Sequence, residues 1–163
     1  MRVLTRIAYG LRPLARDPSL YNIIRAVRDR KLTYLDRWAL LDLCDAVQQL
    51  ERKRLAGALV EAGVALGGSA IVLARSKTLA RPLHLYDVFG MIPPPSEHDG
   101  SDAHIRYAEI ADGRAVGIRG DRYYGYEDEL LKKVRKNFAR FGIDPEKSTC
   151  ALLAGAIRGN ASH

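Results

Sequence analysis

Hydrophobic residues in the first third of the chain recur at helical spacing. A helix is predicted to start at Asp17-Pro18-Ser19, and its apolar stripe consists of Leu20, Ile23, Ile24 and Val27. A second, longer helix is predicted from about Tyr34 to Arg54, with Thr33 as its N-cap. The residues predicted to form its buried face are Leu35, Ala39, Leu43, Ala46, Val47 and Leu50. Together these helices predict an N-terminal helical cap over residues 1–54.

Beyond Gly57 the pattern changes to short apolar runs that alternate with helical segments. The run at 58–62 ends in glycines and is typical of a buried parallel strand. The predicted elements that follow are a helix at 69–80, a strand at 83–87, a proline-rich loop to about 125, a helix from 127 to 141 and a strand at 148–154. Because strands alternate with helices, the predicted fold class is α/β, with a parallel sheet of about three strands in residues 55–163.

Chain length and composition fit one domain with a hydrophobic core. Of 163 residues, 47% are hydrophobic and 28% are charged, which excludes disordered and low-complexity classes. The net charge of +7 arises at the two ends of the chain, and no nucleic-acid-binding motif accompanies it. We interpret the basic residues as solvated helix faces and expect no nucleic-acid partner. Two cysteines, Cys44 and Cys150, favour a reducing, cytoplasmic setting over a disulfide framework or a zinc site.

One stretch is apolar enough to be mistaken for a membrane span. Between Leu55 and Ala74 the only charged residue is Glu61, and about twenty residues suffice to cross a bilayer. The stretch is rich in glycine and alanine, however, and a carboxylate at the bilayer centre costs about 2.5 kcal/mol or more. Arginines interrupt the N-terminal residues, which lack the apolar run of a secretory signal. We therefore expect no membrane association.

Two features at predicted strand ends indicate a nucleoside-binding pocket. A glycine-rich turn from Gly63 to Gly68 follows the first strand, and Asp87 closes the second. In open α/β sheets ligands bind beyond the carboxyl ends of the strands, where glycines let the backbone approach closely and an acidic side chain can accept ribose hydroxyls. Glycines that only tighten packing are the alternative explanation. The turn departs from the G-x-G-x-x-G pattern, which disfavours a nicotinamide-dependent enzyme.

Two longer segments carry a resemblance to a known family. The sequence V-E-A-G-V-A-L-G-G-S-A at 60–70 and the sequence L-Y-D-V-F-G-M-I-P at 85–93 resemble the macrocin O-methyltransferase family, class I enzymes that use S-adenosylmethionine. The resemblance extends over about residues 34–154 and implies a Rossmann-like methyltransferase fold. The loop from Pro93 to Tyr126 would line the acceptor side. By the same resemblance, the residues expected to bind the cofactor are Glu61, Gly63, Gly67, Gly68 and Ser69 at its methionine part, Asp87 at the ribose and Phe89 near the adenine.

The metal and the base of the family have no predicted counterpart in this sequence. The resemblance implies a divalent metal held by aspartates at the ends of the fourth and fifth strands, with a nearby aspartate as base. After Gly155 the sequence runs to His163 without another apolar segment. We therefore expect an incomplete sheet without metal ligands, and we assign no catalytic residue.

Two hypotheses of different classes follow. The first is an S-adenosylmethionine-dependent O-methyltransferase family protein, in a truncated form with impaired catalysis, that acts on a small hydroxylated metabolite or sugar. The second is a non-catalytic half-domain that associates with another chain. Its basis is the first strand, which would form an exposed sheet edge, and unpaired edges favour self-association.

Overall fold

The computed structural model describes residues 17–145 and 147–155. Its helices and strands are, in chain order, α1 (Ser19–Asp29), α2 (Arg37–Arg52), β1 (Leu59–Ala62), α3 (Gly68–Ser76), β2 (Leu83–Asp87), α4 (Ser101–Ala111), α5 (Leu130–Arg140) and β3 (Cys150–Ala154). Two short 3-10 turns at Ile118–Gly120 and Tyr124–Tyr126 lie between α4 and α5.

The three strands form one parallel sheet in the order β1-β2-β3. In its register Glu61 lies beside Leu85, and Leu85 lies beside Leu152. All strands therefore end at the same edge of the sheet, where Ala62, Asp87 and Ala154 are the last residues. The predicted α/β class and the three-stranded parallel sheet are confirmed.

One hydrophobic core joins the helical cap to the sheet. The fully buried residues include Leu20 and Leu40 from the cap, Ile71 from α3 and Leu85 from β2. Helices α1 and α2 both pack against α3, and buried residues of all three helices belong to the same cluster as Leu83 and Leu85 of β2. The cap and the sheet are therefore stabilised by the burial of a shared apolar surface.

Helix α2 starts later and buries a different face than predicted. Its N-cap is Asp36, whose side chain accepts a hydrogen bond of 2.8 Å from the N–H of Ala39, so the predicted cap at Thr33 is wrong. Leu35 precedes the helix and is exposed, as is Ala46. The residues that α2 buries are Leu40, Leu41, Cys44, Asp45 and Val47. The segment 38–44 is apolar except for Asp42 and is compatible with more than one buried face, and packing against α1 and α3 selects this one.

The predicted loop between β2 and the last helix contains the additional helix α4. Among its eleven residues Ile110 is buried, and Ile110 forms a small second cluster with Ala115 and Tyr123. A helix that buries so little has no apolar stripe, which is the signal that sequence interpretation requires. The prediction of an uninterrupted loop to residue 125 is therefore wrong.

The apolar stretch from Leu55 to Ala74 does not form one continuous helix. The stretch is divided into β1, a glycine turn and the first part of α3. Within the ranges 17–145 and 147–155, no helix combines the length and apolar character needed to cross a membrane. The α3 helix ends at Ser76, earlier than predicted, because Lys77 adopts extended backbone. The Nζ of Lys77 donates a hydrogen bond of 2.7 Å to the carbonyl of Ser148.

Candidate functional site

The turn after β1 presents bare backbone to the carboxyl ends of the strands. Gly63 has a φ of +85°, and its N–H donates a hydrogen bond of 2.8 Å to the carbonyl of Tyr86 in β2. A Cβ added at Gly63 would meet no atom within 4 Å. The backbone at Gly63 is therefore open to close approach, and a side chain at this position would fill that space. The predicted contact of Gly63 with a cofactor stays a prediction.

The two glycines at the start of α3 have a packing role. Gly67 has a φ of +88°, and a Cβ there would lie 3.1 Å from the ring of Phe138 in α5. A Cβ on Gly68 would lie 2.6 Å from the carbonyl oxygen of Leu32, which accepts a hydrogen bond of 2.9 Å from the Gly68 N–H. Both glycines are buried. Gly67 thus lets α5 approach the turn, and Gly68 lets the loop between α1 and α2 approach it. The predicted contact of the two glycines with a cofactor stays a prediction.

The carboxylate of Asp87 fixes the turn from the end of β2. Its Oδ2 accepts hydrogen bonds from the N–H groups of Val64 at 2.7 Å and Ala65 at 3.0 Å. Its Oδ1 accepts one from the N–H of Phe89 at 2.8 Å. A carboxylate has about four lone-pair positions, so acceptor capacity remains for a ribose hydroxyl. The predicted binding of a ribose is compatible with this arrangement and stays a prediction.

Glu61, on β1, has a carboxyl group in which one of the two oxygens forms a hydrogen bond with the described residues. Its Oε1 accepts a hydrogen bond of 2.5 Å from the hydroxyl of Ser69 at the start of α3. Its Oε2 is buried and has no hydrogen-bond partner among the described residues. Burial raises the pKa of the Glu61 carboxyl to about 7, although the hydrogen bond from Ser69 acts in the opposite direction, and the charge of Asp87 raises it further. A buried acceptor without a partner is costly, which indicates a site for a donor group.

Two clefts meet at the glycine turn. One, of about 200 Å³, contains Glu61 and Ser69, and its opposite wall is formed by Thr33 and Tyr34 from the loop between α1 and α2. We call it the Glu61 cleft. The other has a volume of about 260 Å³. It is lined by Asp87 at the end of β2, and also by Gly90, Tyr124 and Gly155. We call it the Asp87 cleft. Gly63 lines both, so a ligand that crosses the turn could occupy the two together.

The tyrosines near the site have different roles. Tyr123 and Tyr124 line the Asp87 cleft with their rings 4.7 Å apart, and Tyr124 also contacts Tyr34 at a ring distance of 6.3 Å. The hydroxyl of Tyr126 donates to the carbonyl of Ile110 at 2.7 Å, and anchors the end of α4. Tyr123 and Tyr124 therefore form part of the cleft wall, whereas the hydroxyl of Tyr126 fixes the end of α4.

Sequence reasoning missed the contribution of the cap loop to the site. Thr33 was predicted only as a helix cap, and Tyr34 only as a helix start. Both reach the Glu61 cleft because the carbonyl of Leu32 accepts a hydrogen bond from the N–H of Gly68. A glycine at position 68 indicates that another segment packs closely against the start of α3. The sequence does not identify that segment as the loop between α1 and α2.

Phe89 occupies a buried position beside the site. Its side chain is 8% exposed and belongs to the main core, and its φ is +49°. It also lies at the edge of a third, open cleft of about 640 Å³ that includes Tyr126 and Asp128. The expected proximity of Phe89 to an adenine ring stays a prediction.

The described residues do not form a candidate metal centre. No group of three or more histidine, cysteine, aspartate or glutamate side chains comes together there in a way that could hold an ion. The described residues therefore do not fit the divalent metal that the family resemblance implied, and we derive no chemical step through a metal.

A comparison with known proteins identifies the family. The family model described as Macrocin-O-methyltransferase (TylF) matches residues 31–157, which include β1, the glycine turn, both clefts and β3. No curated protein matches the chain. Because the match extends over most of the 163 residues, the chain belongs to the macrocin-O-methyltransferase family.

Proposed function

We propose that this protein binds S-adenosylmethionine across the glycine turn, with the methionine part in the Glu61 cleft and the nucleoside part in the Asp87 cleft. The observation that carries this proposal is the unpartnered Oε2 of Glu61, which is buried at the cleft beside the open backbone of Gly63. The α-ammonium group of the cofactor is a cationic donor that would satisfy this oxygen. Family membership supports the same ligand.

The residues of the chain would act by binding and orienting. S-adenosylmethionine supplies an electrophilic methyl group on sulfur for in-line transfer to a hydroxyl oxygen. Glu61 and Ser69 would hold its amino-acid part, and Asp87 would accept hydrogen bonds from the ribose while it keeps the turn in shape. Such fixed positioning is the principal contribution of a protein to a displacement reaction.

The acceptor would enter from the side of Tyr123 and Tyr124, which line the Asp87 cleft. We propose a small hydroxylated metabolite or a sugar as the acceptor class. The pKa of Tyr124 is raised by burial, and further by its neighbour Tyr123, so its hydroxyl is a neutral hydrogen-bond donor at physiological pH. None of the described residues is assigned as the base that would remove the acceptor proton.

Isothermal titration calorimetry with S-adenosylmethionine tests this function. We expect saturable binding by the wild-type protein and its loss in Gly63→Val, because the added side chain enters the space between the clefts. Gly142→Val is the matched control, since Gly142 also has a positive φ, of +68°, and open surroundings but follows α5 outside both clefts. Tighter binding of a reduced nicotinamide dinucleotide than of S-adenosylmethionine would favour the oxidoreductase alternative.

A second candidate function is that of a binding module that pairs with a second copy of this chain. The observation in its favour is β1, which is an edge of the described sheet and exposes 64% of Val60. Unpaired edges with apolar side chains favour association. Sedimentation velocity tests the idea with Val60→Lys as the variant: a wild-type dimer that the variant converts to a monomer supports it, and a wild-type monomer contradicts it.

A further inference from the structure

The surroundings of Glu61 favour its neutral form in the absence of a ligand. The only hydrogen-bond donor to its carboxyl group among the described residues is the hydroxyl of Ser69, and Oε2 has none. A charged carboxylate in this position would lack the donors and cations that normally stabilise it, so the proton remains on the group up to unusually high pH.

Among the described residues, the groups that face Glu61 from neighbouring elements do not supply a positive charge. Asp87 at the end of β2 is the charged group that acts on Glu61, and its negative charge opposes ionisation. Ser69 on α3 is neutral. Tyr34, which lines the Glu61 cleft from the loop between α1 and α2, has a pKa raised by burial and remains neutral as well. A cation that enters the cleft would therefore supply the positive charge that these groups lack, and it would favour the ionised form of Glu61.

We propose that Glu61 is a proton-linked receptor for the α-ammonium group of the cofactor, so that binding releases one proton from the protein. The inference rests on the proposed function and adds its coupling to pH. In the free protein the carboxyl group holds its proton. On binding, the O–H bond of Glu61 breaks, the proton passes to solvent, and the carboxylate forms a charge-assisted hydrogen bond with the ammonium group. No oxidation or group transfer is involved.

The coupling gives binding a specific pH dependence. At acidic pH the release of the proton opposes binding, and the penalty disappears as the pH approaches the pKa of Glu61, which is about 7. We expect the affinity for S-adenosylmethionine to rise on the order of tenfold between pH 5.5 and pH 7.0. Over this range the amino group of the cofactor itself stays largely protonated, because α-amino groups titrate near pH 7.7 to 8.0.

The test is calorimetric titration of S-adenosylmethionine at pH 5.5, 6.0, 6.5 and 7.0, each in two buffers with different ionisation enthalpies. The difference in heat between buffers counts the protons released. We expect close to one proton per bound cofactor at about pH 5.5 for the wild-type protein. We expect none for Glu61→Gln, with an affinity that no longer depends on pH. Glu97→Gln, a change in an exposed loop, is the control and should keep the wild-type proton release.

The outcomes separate the inference from the function on which it rests. Binding without proton release, or equal release by Glu61→Gln and wild type, overturns the inference and leaves the proposed function intact. Absence of binding at every pH overturns both. Circular dichroism of Glu61→Gln establishes that the variant is folded. The affinity of this variant for S-adenosylmethionine is the pH-independent reference for the wild-type protein.

Discussion

The carboxylate of Asp87 accepts a hydrogen bond of 2.7 Å from the backbone N–H of Val64, so the end of β2 holds the turn that follows β1. A second bond, from Ala65, is made to the same oxygen. Both residues belong to the turn that separates the Glu61 and Asp87 clefts. The acidic residue that sequence spacing assigns to a ribose therefore also shapes the site before any ligand arrives.

Asp87→Asn should weaken both the fold and the site. The amide retains one acceptor oxygen, but its NH₂ group must face an N–H donor of the turn or of Phe89. We expect the free energy of unfolding to fall by about 1 to 3 kcal/mol, the usual cost of an unsatisfied buried polar group. Urea unfolding measures the loss. The matched control is Asp42→Asn on the exposed side of α2, and equal stability of the two variants would contradict the role of Asp87.

Gly68→Ala should be destabilising because of packing rather than backbone strain. The new methyl group would lie 2.6 Å from the carbonyl oxygen of Leu32 and would push the cap loop away from α3. We expect a loss of about 1 to 3 kcal/mol in the free energy of unfolding, as for other overpacked sites.

Gly90→Ala is the control for this change, since a Cβ at Gly90 meets no atom within 4 Å and its φ is not in the left-handed region. It should change stability by less than about 0.5 kcal/mol. A Gly68→Ala protein as stable as Gly90→Ala would show that the cap loop does not approach the turn as described.

Glu61→Gln should stabilise the free protein at neutral and alkaline pH. Burial raises the pKa of Glu61 from 4.5 to about 7. Between these values the folded state binds the proton more tightly than the unfolded state, so the wild-type free energy of unfolding falls as the pH rises. Removal of the titrating group should add on the order of 3 kcal/mol at pH 8 and little at pH 4.

Denaturant unfolding of Glu61→Gln and wild type at the two pH values measures the effect. A variant that is less stable than wild type at pH 8 would mean that the carboxylate is stabilised by groups other than Ser69. A gain in stability together with lost proton release would be typical of a binding site that is strained until its ligand arrives.

The ion pair of Glu51 and Arg81 should make the protein less stable as the pH falls. This dependence is opposite in sign to that of Glu61. Glu51 Oε1 accepts a hydrogen bond of 2.6 Å from Nε of Arg81, and this bond lowers the pKa of Glu51 below 4.5. The resulting stability is present above about pH 4.5 and is lost as the pH falls through the lowered pKa. Glu51→Gln should therefore lower the thermal midpoint at pH 7, and the difference from wild type should shrink towards pH 3. A difference that is the same at both pH values would contradict this account.

The strands and the glycine turn could be predicted from the sequence because their signals are local. The sequence predicts the second strand at 83–87, and it is observed at Leu83–Asp87, where a short apolar run follows Pro82 and ends at Asp87. The position of Glu61 and Asp87 at neighbouring strand ends also followed from the parallel order.

The features that could not be predicted depend on tertiary contacts. Helix α4 buries little beyond Ile110, so it lacks a helical apolar pattern. The prediction of the buried face of α2 is wrong because this face is selected by packing against α1 and α3. The contribution of Tyr34 to the site depends on a hydrogen bond between Leu32 and Gly68, which join segments far apart in the chain.

The most direct test of the proposed binding site is a two-dimensional ¹H–¹⁵N NMR titration of the labelled protein with S-adenosylmethionine. We expect saturable shifts that are largest for the amides of Gly63, Val64 and Ser69, where the turn separates the two clefts, and small shifts at Gly142. No saturable shift, or shifts centred on Gly142 and the end of α5 while Gly63 is unaffected, would contradict the claim that the cofactor lies across the glycine turn.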